Sequence, residues 1–280
     1  MTVKITADST CDLSPELIRQ YGITITPLYI TQDGQNYRDG LEITPDDIFR
    51  YVEETGKMCS TAAVNVEDYT ACFSRALQQA DGIVHFTISS DMSSCYQNAC
   101  IAAAEFSDVY VIDSRNLSTG IGLLVLDAAE LAAEGRTARE IFSILEEKKK
   151  KLDVSFVIDT LTYLHKGGRC SAVAALGANL LSLKPAIAVK DGSMGVAKKY
   201  RGKLEKCLQQ YIREQLADPD TIDTKRIFVT HSRMDPALVN VCRQTVEACM
   251  HFDEILETEA GCTVSNHCGP NCLGVLFYRK

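Results

Sequence analysis

The sequence lacks the features that mark several large protein classes. Its net charge is −8, so a nucleic acid or an anionic membrane surface is not expected as the main partner. The most hydrophobic run, Ser171 to Val189, is interrupted by Asn179 and by Lys184-Pro185, so no transmembrane segment is predicted. The start, Met1 to Asp8, is typical of a strand and has no signal-peptide apolar region, so we expect a cytoplasmic protein.

Motifs of the common catalytic and metal-binding families are also missing. There is no G-x-x-x-x-G-K-[ST] loop, which argues against a self-contained kinase, and no G-x-S-x-G elbow. The 12 cysteines include no C-x-x-C pair, and without an export signal we expect reduced thiols in the core. The stretch from His267 to Cys272 resembles a ligand cluster, but a structural zinc site commonly needs two spaced pairs of ligands. We therefore expect neither a metal nor a cofactor.

The order of predicted elements indicates an α/β protein. Strands alternate with helices over residues 1–150, which predicts a three-layer α/β/α arrangement around a parallel sheet. The charged run from Glu146 to Lys151 marks the expected boundary between two domains. Residues 151–280 read as a second domain, a two-layer α/β unit with a mixed sheet, and its elements include a predicted apolar helix from Val173 to Leu183.

A cluster of hydroxyl groups between a strand and a helix is the first candidate site. The strand is predicted over Gly82 to Ile88 and the helix over Tyr96 to Phe106, and four serines fall between residues 89 and 94. Ligands of open α/β sheets bind at the carboxyl ends of the strands, and a helix N-terminus favours an anion. The alternative is that a serine only caps the helix.

Three other segments could join this serine turn. They are the predicted loop with Ser60-Thr61, the glycine-rich turn that precedes Arg169, and His267, predicted at a tight turn before the last strand. Hydroxyls, amides, a histidine and an arginine together favour a carboxylate or phosphate. Each residue also has a purely structural interpretation. Ser60, Thr61 and His267 could be turn residues, and Arg169 could form a surface ion pair.

Seven motifs in a fixed order give the sequence a resemblance to a known family. It resembles the DegV family of bacterial lipid-binding proteins along nearly its whole length. The matching stretches are Ile5 to Leu13, Tyr37 to Gly40, Ser60-Thr61, Ile88 to Gln97, Val111 to Ser114, Leu164 to Arg169, and His267 to Pro270.

The resemblance implies a long-chain fatty acid buried between two domains. It implies that hydroxyls at Thr61 and Ser93 hold the carboxylate with help from turn amides and His267. Ser60, Ser94 and Arg169 complete the expected ligand-binding set.

The resemblance also implies a partner. Some family members are the fatty-acid-binding subunit of a fatty acid kinase, and they present the carboxylate for acyl phosphate formation in phospholipid synthesis. Arg169 and Arg201 would then lie where the kinase docks.

The sequence departs from the family pattern near the expected site. Ser94 stands where glycine is usual, Cys95 and Cys268 where threonine is usual, and the extra side chain at Ser94 is expected to narrow the head-group pocket. For the acyl slot we expect the helix from Val173 to Leu183 and the apolar face of Tyr96 to Phe106.

Two functions follow from the sequence. The first is a non-enzymatic carrier, and the alternative is a lipid or ester hydrolase with Ser93 as nucleophile and His267 as base.

Overall fold

The fold is taken from a computed structural model that describes residues 2–170 and 183–280. The predicted helix from Val173 to Leu183 lies outside the described residues, apart from Leu183, which begins a strand. Within the described part of the chain, no helix is both long enough and apolar enough to cross a bilayer. The predicted α/β class, with one parallel and one mixed sheet, is confirmed.

The first large sheet is parallel and has four strands in the order β2-β1-β6-β7. The strands are β1 (Val3–Asp8), β2 (Thr24–Thr26), β6 (Gly82–Thr87) and β7 (Val109–Asp113). Two pairs of helices cover its faces: α3 (Val66–Leu77) with α4 (Cys95–Ala103), and α5 (Thr119–Ala133) with α6 (Ala138–Lys148). Every residue of β6 is buried, as expected for a strand covered on both faces.

The second large sheet is mixed, with six strands in the order β10-β9-β8-β13-β11-β12. They are β8 (Leu152–Val157), β9 (Leu183–Lys190), β10 (Ser193–Arg201), β11 (Ile222–Ser232), β12 (Glu254–Glu259) and β13 (Cys272–Arg279). Only β11 and β12 pair in parallel. The helices α8 (Leu204–Gln215) and α9 (Pro236–Cys249) pack against this sheet and each other.

Helix α5 packs against both large sheets. It contacts β1 and β6 on one side and β8, β11 and β13 on the other, which is why it is apolar around most of its circumference. Its buried Asp127 forms ion pairs with Lys148 of α6 and Arg226 of β11. The main hydrophobic core therefore continues across residue 150, and the division into domains 1–150 and 151–280 stays a prediction.

A third, three-stranded sheet was not predicted. Its order is β4-β3-β5, with β3 (Tyr29–Gln32), β4 (Gln35–Arg38) and β5 (Ser60–Ala62). Strands β2 and β3 are separate, because Pro27, which has no N–H to donate, lies between them. The predicted loop around Thr61 is wrong, since Thr61 pairs with Ile30 in this sheet.

The other α-helices within residues 2–170 and 183–280 are α1 (Pro15–Gln20), α2 (Pro45–Thr55), α7 (Thr162–Gly167) and α10 (Cys262–Cys268). His267 was predicted in a tight turn but lies in the last turn of α10. The turn follows it, where Gly269 has φ 77° and Asn271 has φ 58°. These left-handed conformations end the helix and lead the chain into β13.

Candidate ligand-binding site

A cavity lies beside the serine turn after β6, between β5 and α10. We call it the head-group cavity, after the ligand group that the sequence analysis expects near this turn. Its empty space, including its open mouth, is about 550 Å³. Among the described residues, five polar side chains line it: Thr61, Ser93, Arg169, Thr263 and His267. The rest of the lining is largely apolar and includes Leu28, Ile88, Met92, Leu117, Met194 and Val264. An apolar chamber with a few converging polar groups is the usual form of a small-molecule site.

Thr61 and His267 are joined across this cavity. Thr61 Oγ1 lies 3.1 Å from His267 Nε2, although the two residues are 206 positions apart in the sequence. Burial, together with the positive charge of Arg169, lowers the pKa of His267 to about 4. The imidazole is therefore neutral at physiological pH and carries a single N–H. Its Nδ1 has no hydrogen-bond partner among residues 2–170 and 183–280.

Gly167, at the end of α7, leaves room for the imidazole ring of His267. A Cβ atom at this position would overlap His267 Nδ1, so only glycine lets the ring lie here. The next residue, Gly168, has φ 68° and ends α7 in the left-handed region. The glycine pair thus serves two purposes, close approach at Gly167 and chain reversal at Gly168.

Ser93 is held by Cys95, which follows it in the chain. The Cys95 amide donates to Ser93 Oγ at 3.3 Å, and Ser93 Oγ lies 3.2 Å from Cys95 Sγ. Behind the thiol, Tyr69 donates to Asp8 Oδ1 at 2.6 Å, and His85 Nε2 lies 3.4 Å from the same oxygen. Burial raises the pKa of Cys95 to about 12, so the thiol stays neutral. Cys95 thus supports the serine, a role that the sequence analysis missed.

The other serines of the turn have different positions. Ser89 Oγ donates to the Gly192 carbonyl at 2.7 Å, which attaches the β9–β10 hairpin to the turn. Ser90 Oγ donates to Asp113 Oδ2 at 2.6 Å. Ser94, expected to contact the ligand, is exposed at the start of α4 and is not among the residues that line the cavity. The turn directs Met92 and Ser93 inward, which leaves Ser94 on the outer side and unable to narrow the pocket.

Two aspartates hold the N-terminal end of α10. Asp39 accepts the amides of Cys262 and Thr263 at 2.9 and 3.1 Å, and Asp12 accepts the amide of Gly261 at 2.9 Å. Burial raises the pKa of Asp12 to about 8. Both aspartates lie in motifs that the sequence analysis quoted without a role. They satisfy the first amides of the helix that carries His267.

The remaining candidates lie around the mouth of the cavity. Arg169 is exposed and lines it, and its Nη1 donates to the Gly167 carbonyl at 3.0 Å. Ser60 faces a smaller neighbouring cavity, and Arg201 is exposed on β10 without lining either cavity. In the part of the chain that the structure describes, no three His, Cys, Asp or Glu side chains come together as a metal site.

A second cavity, which we call the tail cavity, lies beside the head-group cavity. Its empty space, including any part open to solvent, is about 330 Å³. Its accessible surface is almost wholly apolar, although Ser118, Thr230, His231 and Ser232 also border it. The two cavities share Leu117, Val264 and Cys268 as a common wall. No residue of either lining comes from Tyr96 to Phe106, so the expected contribution of that segment is wrong, because the buried face of α4 packs on α3 instead.

Comparison with known proteins identifies the family. The profile of the DegV family matches residues 2–280. The chain belongs to the DegV family. A DegV domain-containing protein of Clostridium acetobutylicum is 32% identical over 280 residues, which are 99% of this chain and 99% of the relative. The family expected from the seven motifs is therefore confirmed.

Solved DegV structures share the whole fold. A DegV family protein from Thermus thermophilus, whose structure is described as fatty acid binding, is 33% identical. It has a TM-score of 0.91 and covers 100% of both chains. A stearic acid-binding protein from Eubacterium ventriosum is 27% identical, with a TM-score of 0.85, and the match covers 99% of this chain and 98% of that protein.

Proposed function

We propose that this chain binds a long-chain fatty acid, with its carboxylate in the head-group cavity and its tail in the tail cavity. The observation that carries the proposal is the pair of apolar cavities with a common wall and polar side chains at one end. Thr61, Ser93 and His267 would hold the carboxylate. The fatty acid ligands of the related DegV proteins support this assignment.

The chemistry of the two cavities suits an acyl chain. Each buried methylene contributes about 0.8 kcal/mol, so a tail of a dozen gives roughly 10 kcal/mol before opposing terms. A buried carboxylate costs several kcal/mol unless hydrogen bonds replace its water. The hydroxyls of Thr61 and Ser93 can supply two of those bonds when His267 Nε2–H donates to Thr61 Oγ1, and the exposed guanidinium of Arg169 adds a favourable charge at the mouth.

The geometry favours a carrier over a hydrolase. A serine hydrolase needs its base in hydrogen-bond reach of the nucleophile. Here His267 Nε2 is bonded to Thr61, and Ser93 Oγ is bonded to Cys95. We therefore assign Ser93 to ligand binding.

The proposal includes presentation of the carboxylate to a separate fatty acid kinase, which would form an acyl phosphate for phospholipid synthesis. The polar end of the head-group cavity reaches the surface at Arg169, and Arg201 is exposed on β10. Two exposed cations suit a docking surface for an acidic partner.

Two measurements test these steps separately. Mass spectrometry of lipid extracted from the purified protein is expected to detect a long-chain fatty acid, and an empty protein that takes up no palmitate or oleate would contradict the carrier.

For the second step, the loaded protein is incubated with ATP and a fatty acid kinase from the same genome, and acyl phosphate is trapped with hydroxylamine. Arg169→Glu and Arg201→Glu are expected to lower trapping. Palmitate should stay bound in Arg201→Glu, because Arg201 lines neither cavity, whereas Arg169→Glu also reverses the charge at the cavity mouth and should weaken palmitate binding. Unchanged trapping in both variants would contradict the docking assignment.

A further inference from the structure

The loop between β7 and α5 places Leu117 where the two cavities meet. Leu117 is buried and lines both the head-group cavity and the tail cavity. Among the described residues, the other two that line both are Val264 and Cys268, which belong to α10. An acyl chain that passes from one cavity into the other would therefore run between this loop and α10.

The residue after Leu117 has an unusual backbone conformation. Ser118 has φ 54° and ψ −145°, a combination that glycine adopts freely and that residues with a side chain avoid. Such a conformation is unfavourable, so it persists only where neighbouring contacts impose it. Strained residues of this kind concentrate at ligand sites, where the strain holds a neighbouring group in place.

Asp12 imposes this conformation and connects it with α10. Ser118 Oγ lies 2.6 Å from Asp12 Oδ2, and both residues are buried. The other oxygen of the same carboxyl group accepts the amide of Gly261, the residue before α10, at 2.9 Å. Because α10 carries His267, the strained serine and the site histidine depend on one shared support.

The other side of the loop is attached to the serine turn. The Asn116 carbonyl accepts the amide of Ser89 at 2.9 Å, and the Asn116 side chain accepts the amide of Leu117 at 3.0 Å. A Cβ atom at Gly120 would lie 2.7 Å from Asn116 Oδ1, so this glycine leaves room for the side chain. Leu117 is thus held between a fixed asparagine and a strained serine.

We infer that Ser118 is a positioning residue of the acyl site, whose backbone conformation, held by Asp12, sets Leu117 against the chain where the cavities meet. If Ser118 relaxed to a negative φ, the backbone direction at this point would change and Leu117 would leave the common wall. The inference rests on the proposed function and extends it to the passage of the acyl tail.

Two substitutions that remove the same hydroxyl separate the backbone conformation from the bond to Asp12. Ser118→Gly and Ser118→Ala both lose that bond, but glycine adopts φ 54° without strain and alanine does not. In delipidated protein with isotope-labelled leucine methyl groups, the Leu117 signal is the one that disappears in Leu117→Ala. Its chemical shift should stay native in Ser118→Gly and move in Ser118→Ala.

This measurement uses no lipid, so it decides the positioning role by itself. An equal displacement in both Ser118 variants, or a displacement in neither, would overturn the inference. Ser155→Ala is the matched control, because it also removes a buried hydroxyl, bonded to Tyr211 at 2.9 Å, from a residue that lines neither cavity. It should leave the Leu117 signal unchanged.

Palmitate affinity of the same proteins tests the consequence for the ligand. Ser118→Ala is expected to weaken binding about tenfold, and Ser118→Gly less than about threefold, because a buried leucine contributes strongly to apolar contact. In a Leu117→Ala background the two substitutions should give equal affinities, since the side chain that they position is gone. A difference of the same size in both backgrounds would overturn the inference. A native chain that binds no palmitate would contradict the proposed function, and the methyl signals would still decide the role of Ser118.

Discussion

The hydroxyl of Thr61 offers the sharpest test of the head-group assignment. Thr61→Val removes the oxygen and keeps the branched shape, which suits a residue in β5. The variant should therefore retain the three-stranded sheet and lose one donor to the ligand carboxylate. The bond to His267 Nε2, 3.1 Å long in the native chain, is lost as well.

The expected loss of affinity follows from the energies of the bonds removed. A hydrogen bond to a charged group contributes about 1.5–3 kcal/mol, which corresponds to roughly 10- to 150-fold in Kd. The free energy of unfolding should fall by about 0.5–1.5 kcal/mol, because the lost Thr61–imidazole bond is between neutral groups. Affinity should therefore be affected more than stability.

Isothermal titration of delipidated protein with palmitate measures the affinity, and chemical denaturation measures the stability. Thr31→Val is the matched control, because Thr31 lies on the adjacent strand β3 and its hydroxyl donates to Asn36 at 2.7 Å, outside the cavities. A palmitate Kd for Thr61→Val within twofold of the native value would refute the assignment. Equal weakening by the two variants would refute it as well.

Three further predictions concern the supports of the site. Gly167→Ala should displace the site histidine and weaken palmitate binding by at least about tenfold in the same titration, because the new methyl group overlaps the ring. Asp39→Asn should destabilise the protein by about 1–3 kcal/mol in denaturation and weaken palmitate binding, because α10 loses a charged cap. Asp12 keeps its proton in the folded state to about pH 8, while the unfolded chain releases it near pH 4. Stability should therefore fall as pH rises through this window, by up to about 1.4 kcal/mol per pH unit, and Asp12→Asn should flatten the slope measured by denaturation.

Each of these has a control or a contradicting result. Gly168→Ala strains the left-handed residue without meeting any atom, so it should lower stability and spare affinity. Equal affinity losses at Gly167 and Gly168 would contradict the ring-contact argument. Asp235→Ala removes the cap of α9 instead, and should lower stability without changing palmitate affinity. An unchanged pH slope in Asp12→Asn would mean that another group dominates the titration.

Local signals predicted the large elements well. Helix α9 (Pro236–Cys249) begins with such a signal, because Asp235 caps the helix and proline occupies its first position. The buried run of β6 and the serine turn after it were also found. Such signals lie within a few residues of the element they define, so a single sequence is enough to show them.

The missed features depend on partners far along the chain. The three-residue strand around Thr61 has no periodicity of its own and exists because β3 pairs with it. Asp39 caps a helix 223 positions away, at Cys262, and no local pattern marks such a contact. Helix α10 is only seven residues long, so Gly269-Pro270 after it dominated the prediction at His267.

The separation of Thr61 from His267 also bears on how the protein folds. A contact spanning 206 positions has a large loop-closure entropy cost, so we expect it to form late and partly folded species to lack the complete proposed ligand site. A molecule bound there stabilises the finished fold alone, by about 2.7 kcal/mol at a hundred times its Kd. A bound ligand would thereby stabilise fully folded chains and not folding intermediates. Loss of the ligand would make the native protein easier for proteases to cleave.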